Sequence, residues 1–122
     1  MRILLSIKPE YVNKIISGEK TYEFRKKLPK LPVETIVIYC TAPYCKIIGE
    51  VQVQGTITNT VSKIWNDTKG NAGISYKNYL KYFKNKKTAN AFVLGEVKLY
   101  NEKKELSDFG IKHAPQSFVY LK

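Results

Sequence analysis

The chain has 122 residues, about one domain's worth, and its 43% hydrophobic and 12% aromatic content is too apolar for a disordered tail. Lys and Arg number 21 against 10 Asp and Glu, a formal charge of +11. No apolar run is long enough for a transmembrane helix, the N-terminus lacks the features of a secretory signal, and two cysteines cannot staple a disulfide scaffold, so the cytoplasm is the expected compartment.

Arg2–Ser6 is a short aliphatic run that reads as a strand. Pro9 suits the first turn of a helix, and Tyr11, Val12, Ile15 and Ile16 then form an amphipathic stripe that Gly18 ends. Thr21–Arg25 alternates strictly, with Tyr22 and Phe24 on one face and Thr21, Glu23 and Arg25 on the other. Lys26–Pro32, with three lysines and two prolines, is a loop. Val33–Thr41 and Ile47–Thr58 are long strands separated at Ala42-Pro43, and Gly55 marks a bulge in the second. Val61–Trp65 is a helical turn and Asp67–Gly73 a turn-rich loop. Ser75 caps a helix over Tyr76–Lys84, on which Tyr79, Leu80 and Phe83 share a face. A basic turn over Lys84–Thr88, a strand over Ala89–Tyr100 and a last strand over Ser117–Leu121 complete the chain. No repeat or domain boundary interrupts it. Strands dominate, which predicts an α+β domain: a small mixed β-barrel with a few short helices packed at its ends.

The excess positive charge favours a polyanionic partner. It is spread out: residues 1–48 carry nine basic and four acidic side chains, residues 49–100 eight and three, and the last 22 four and three. Only Arg2 and Arg25 are Arg; the other cations are Lys, which also serve solubility alone.

The most informative stretch is Gly18-Glu19-Lys20-Thr21-Tyr22-Glu23-Phe24-Arg25. Lys20 falls at the helix-to-strand corner. Glu23 and Arg25 lie two apart on one strand face, about 6–7 Å between Cα atoms, so that the carboxylate can orient the guanidinium. Two cations and a carboxylate at one corner suit a bound phosphate, or a polarised nucleophile or base. The plain alternative is an exposed ion pair on a strand, of little energetic weight.

This stretch resembles the hallmark of the ASCH domain family, a branch of the PUA-like β-barrel proteins: G-x-K-x-x-E-x-R after a first helix, matched by Gly18, Lys20, Glu23 and Arg25. Leu5-Ser6-Ile7-Lys8-Pro9-Glu10-Tyr11, Tyr39-Cys40-Thr41-Ala42-Pro43, Ile48-Gly49-Glu50-Val51, and the tail with Phe109-Gly110-Ile111 and Ala114-Pro115-Gln116-Ser117-Phe118 resemble the family's other segments, so the similarity spans nearly the whole chain, and residues 1–122 read as one such domain of the small bacterial or phage type. The resemblance implies a cleft between barrel and helices, lined by the motif, that binds RNA or a nucleotide in RNA processing, translation or transcription regulation. Some members are similar to hydrolases: one subgroup removes the acetyl group of N4-acetylcytidine with a Lys, a Thr nucleophile and a Glu, and another is assigned ribonuclease activity. Lys20 matches the subgroup's lysine, but its nucleophilic Thr falls where this chain has Glu23, and acids are scarce between Val51 and Gly95, with only Asp67. Direct transfer of that hydrolysis is therefore not expected.

The candidate anion contacts are Lys8, Lys20, Arg25, Lys26 and Lys27, the last two in a loop that extends the cationic rim. Tyr76 and Tyr82, among the lysines of the third helix, are candidates for stacking on bases, whereas Tyr79 and Phe83 suit the core. Were the domain an enzyme, Lys20 would activate or stabilise, and Thr21, Glu23 or Ser117 would supply nucleophile or base. Cys40 and Cys45 read as unreactive thiols and His113 as a surface histidine; no metal or cofactor is expected. The favoured reading is RNA or nucleotide binding; a small hydrolase and a basic protein-interaction module remain as alternatives.

Overall fold

The computed structural model describes all residues, Met1–Lys122. Its elements are β1 (Arg2–Ile7), α1 (Pro9–Ser17), β2 (Tyr22–Arg25), β3 (Thr35–Cys40), β4 (Lys46–Thr60), α2 (Val61–Thr68), a 3₁₀ turn (Lys69–Asn71), α3 (Tyr76–Tyr82), β5 (Thr88–Lys104), a second 3₁₀ turn (Leu106–Phe109) and β6 (Phe118–Leu121). No helix is long and apolar enough to cross a membrane.

The strands form one six-stranded mixed sheet in the order β2-β5-β4-β3-β1-β6. Only β1 and β3 pair in parallel. All six residues of β3 are buried, as expected for a strand covered on both faces. On one face, Val12 and Ile15 of α1 pack with Ile3, Leu5, Ile36 and Ile38; on the other, Leu4, Val37, Ile47 and Leu121 are covered by the turn and loop before β6. A third cluster joins Ile64 of α2, Tyr79 of α3 and Phe83 to Phe24, Ala89 and Ala91 at the β2–β5 end of the sheet.

The α+β class with few, short helices is as the sequence predicts. The sheet is barrel-like only approximately, because β2 and β6 lie at opposite edges and do not pair. Bulges curve it: three lie between β4 and β5, with register shifts at Ile47/Gly49, Val51/Val53 and Val53/Gly55, and one between β3 and β4 at Ile38/Tyr39. Gly18 ends α1 in the left-handed conformation (φ 85°). The side chain of Ser75 accepts from the N–H of Asn78 as the predicted cap.

Four local readings change, the first being the strand predicted to end at Tyr100, which runs on to Lys104. The helical turn at Val61 runs to Thr68, because Thr60 caps its start and the Thr68 hydroxyl donates to the Ile64 carbonyl, so the predicted loop from Asp67 begins later and holds a 3₁₀ turn. The third helix stops at Tyr82, two residues before the predicted end. Leu80 is 42% exposed, because only the i, i+4 pair Tyr79 and Phe83 turns inward.

Candidate functional site

The site begins where α1 ends. Gly18 turns the chain back, the Lys20 N–H donates to the Lys14 carbonyl (3.0 Å), and the Thr21 N–H donates to the Asn71 carbonyl (3.0 Å). This corner sends the Lys20 side chain into the protein, where it is only 4% exposed. Its Nζ donates to the Ala72 carbonyl (2.8 Å) and lies 4.8 Å from the centroid of the Phe24 ring and 5.3 Å from that of Tyr11. Burial pushes the Lys20 pKa below the usual lysine range; Glu23 opposes the shift, and Lys14 and Arg25 add to it. Gly73 makes room for the lysine stem: it holds φ +64°, and a Cβ there would come within 2.4 Å of Lys20 Cβ.

Two residues further on, Glu23 is 7% exposed and Arg25 is largely covered. Arg25 Nη2 lies 2.9 Å from Glu23 Oε2, and Nε donates to the same oxygen at 3.1 Å. Nη2 also donates to the Ser6 carbonyl (3.1 Å), while the Ser6 hydroxyl donates to the Pro115 carbonyl (2.8 Å). The pair is thus set in the protein rather than exposed on a strand, with the Ser6 carbonyl of β1 holding the guanidinium. Glu23 Oε1 makes no hydrogen bond or ion pair with protein and is not fully buried, so it is free to accept from a ligand.

These groups share a cavity of about 440 Å³. Lys20, Glu23, Phe24 and Arg25 line it together with Ser6–Lys8, Glu10 and Tyr11 of the first strand and helix, and with Ile74, Asn78, Lys81 and Tyr82 from the α3 side. Burial raises the Tyr11 pKa, and its hydroxyl lies beside Asn78. Burial also raises the Tyr82 pKa against the opposing charge of Arg25, and Lys26 Nζ sits 4.9 Å from the centroid of the Tyr82 ring. A larger hollow of about 610 Å³, among Tyr39, Cys45, Ser107 and Lys112, contains none of the motif residues. The smaller cavity is the candidate site because it gathers buried charge of both signs beside aromatic side chains.

Of the sequence candidates, Lys8, Lys20, Glu23, Arg25 and Tyr82 line the cavity, and Lys26 joins it through Tyr82. Thr21 does not: β2 starts at Tyr22, so the alternation that would put the Thr21 hydroxyl beside Glu23 does not reach it. Ser117 lies in an exposed bend before β6, outside the lining; it is Ser6 that binds the tail, through Pro115. Lys27 is exposed beyond the rim, and Tyr76 packs on Trp65 with ring centroids 5.0 Å apart. Cys40 is buried and Cys45 exposed, both as free thiols; His113 is exposed, and no three metal-ligating side chains cluster. Lys81 is among the lysines interleaved with the aromatics of the third helix; sequence reading passed over Ser6, Tyr11, Gly73 and Asn78. Tyr11 reads as part of an apolar stripe, and nothing local marks the others.

A family model described as the ASCH domain matches residues 5–100. Over 98% of its length the chain is 34% identical to ATP synthase subunit alpha of Ureaplasma parvum serovar 3 and 30% identical to large ribosomal subunit protein uL22 of that organism, but it spans only 15% and 39% of those proteins. It is 31% identical, over 98% of its length and 83% of the relative's, to an ASCH domain-containing ribonuclease of Zymomonas mobilis. A crystal structure of ASCH from Zymomonas mobilis superposes with a TM-score of 0.90 at 28% identity, covering 99% of this chain and 87% of that one. With Lys20, Glu23 and Arg25 of the motif lining one cavity and the family match covering most of the sequence, the chain belongs to the ASCH domain family.

Proposed function

We propose that this domain binds RNA, or a nucleotide of it, in the Lys20–Glu23–Arg25 cavity, with the cytoplasm as its setting. The observation that carries the reading is the burial of two cations and a carboxylate in a hollow fringed by Lys8 and Lys81 and flanked by Tyr11 and Tyr82. Around the positive charge of the buried Lys20, each remaining group has a task. Lys8 and Lys81, exposed at the rim, meet phosphate. The tyrosines offer ring faces to a base released from its stack. Glu23 Oε1 accepts from a base N–H, while Arg25, clamped on Glu23 and Ser6, holds that carboxylate in place. The name of the Zymomonas mobilis relative supports an RNA partner.

The test is fluorescence anisotropy with short single-stranded RNA across a salt series. Affinity falls steeply with salt, and Lys8→Ala with Lys81→Ala lowers the slope of log K against log salt by about 1.4, at about 0.7 per phosphate contact. Affinity that ignores salt, or that survives Lys20→Ala with Arg25→Ala in a folded protein, overturns the reading.

A second reading, RNA hydrolysis at the same cavity, is favoured by the desolvated Lys20 beside Glu23 and by the ribonuclease name of that relative. Glu23 would take the proton of a ribose 2′-hydroxyl as that oxygen attacks the adjacent phosphorus; the bond from phosphorus to the 5′-oxygen breaks, leaving a 2′,3′-cyclic phosphate and a 5′-hydroxyl protonated from solvent, with Lys20 and Arg25 stabilising the added negative charge. Incubation with RNA and with N4-acetylcytidine, against a Lys20→Ala control, separates turnover from binding; no product above the control removes this reading and leaves the first.

A further inference from the structure

Between residues 68 and 95 the chain carries six lysines, at 69, 77, 81, 84, 86 and 87, and no acidic residue. None of the six takes part in an ion pair. Three of them are ordered by α3 and its continuation. Lys77 and Lys81 lie one turn apart on the same side of α3, and Lys84 follows in the turn that closes it, its N–H donating to the Lys81 carbonyl at 3.4 Å. All three are exposed. On the adjoining side of the same helix Asn78 and Tyr82 face the cavity, and Lys81 belongs to both the stripe and the rim. The opposite side, Tyr79 and Phe83, is fixed in the core. The row of cations therefore runs along the helix and meets the mouth of the cavity at Lys81.

We propose that this row is a phosphate track for single-stranded RNA: one nucleotide occupies the cavity while the neighbouring backbone lies along Lys77, Lys81 and Lys84. The inference rests on the reading of the cavity as a nucleotide site and adds the class of ligand, a strand of several nucleotides instead of a free nucleotide. Lysines unopposed by acid attract a polyanion without sequence preference. A base enters the cavity only when out of its stack, which a single strand permits at least cost.

The experiment compares the four nucleoside 5′-monophosphates with mixed-sequence RNA of four and eight nucleotides, and with a duplex of the longer one. The octanucleotide binds at least tenfold more tightly than the best mononucleotide, and the duplex more weakly than the single strand. Lys77→Ala with Lys84→Ala removes that gain, lowers the salt slope by about 1.4 and leaves mononucleotide affinity unchanged. Lys98→Ala with Lys122→Ala, the same charge removed from β5 and from the end of the chain beyond β6, keeps the gain. Mononucleotide binding that longer RNA does not improve overturns the track and leaves the cavity reading standing; failure of every length to bind overturns both. A gain that survives in the Lys77/Lys84 variant, is equally lost in the Lys98/Lys122 variant, or is matched by the duplex also overturns the track.

Discussion

Replacing Gly73 by Ala tests how Lys20 is held. Two separate costs apply. Gly73 has φ +64°, a conformation that costs a residue with a Cβ about 1–2 kcal/mol. The new methyl would also sit 2.4 Å from Lys20 Cβ and 2.7 Å from Cγ, and such overpacking costs a further 1–3 kcal/mol or so. Together they destabilise the fold by about 2–5 kcal/mol. Gly18 is the internal control: its φ is +85°, but nothing lies within 4 Å of the position a Cβ would take, so Gly18→Ala incurs only the first cost, about 1–2 kcal/mol. Urea unfolding followed by Trp65 fluorescence gives both values from midpoints at constant m. The Gly73 variant should be the less stable by about 1–3 kcal/mol. It should also bind RNA more weakly, since its methyl displaces the lysine stem. A Gly73→Ala protein as stable as Gly18→Ala would refute the idea that this glycine cradles Lys20.

Glu23→Gln leaves the largely covered Arg25 guanidinium without its charged partner and should cost about 3 kcal/mol in the same unfolding measurement; a loss under 1 kcal/mol or so would mark the pair as no more than a surface contact. Lys20 is held with its pKa below 10.5, so between its folded value and 10.5 the unfolded chain binds the extra proton and this group's contribution to stability rises with pH; subtracting the unfolding curves of Lys20→Met from those of the parent should expose that rise, and a flat difference counts against it. Tyr79 behaves oppositely: burial raises its pKa to about 12, so the stability it contributes is complete below pH 10 and is lost as pH climbs towards 12. Tyr79→Phe, which gives up the bond from the Tyr79 hydroxyl to the Val61 carbonyl (2.7 Å), should cost about 1 kcal/mol at neutral pH and soften the alkaline decline. Ser75→Ala removes the cap of α3 and should cost about 1 kcal/mol.

The elements were legible where a local rule decides them: Pro9 and Gly18 bracket α1, and Ser75 caps α3. The alternation in Thr21–Arg25 locates the β2 strand, yet alternation implies one wet face, and here Glu23 and Phe24 are both buried. Phe24 meets Tyr79 and Phe83 on one side, while Glu23 faces the cavity that residues of β1 and α1 also line. Only the packing of distant segments decides that, and no spacing within eight residues encodes it. The same limit explains the site. Lys20, Glu23 and Arg25 announce themselves by their spacing, but Ala72, Gly73 and Asn78 come from more than 50 residues beyond Lys20 and join only because α3 packs against the β2 end of the sheet. The hydroxyls of Thr21 and Ser117 failed as cavity residues because both precede the first residue of their strands, where pleat geometry gives no guidance.

The bonds of Ser6 bear on how portable such a site is. One residue of β1 steadies the guanidinium through its carbonyl and ties down the tail through its hydroxyl, while the lysine rests on a carbonyl and a bare backbone position elsewhere. Grafting the eight-residue segment from Gly18 to Arg25 onto a foreign scaffold would carry the charges across without their fixtures, and the transplanted ammonium and guanidinium would relax into water as ordinary surface groups.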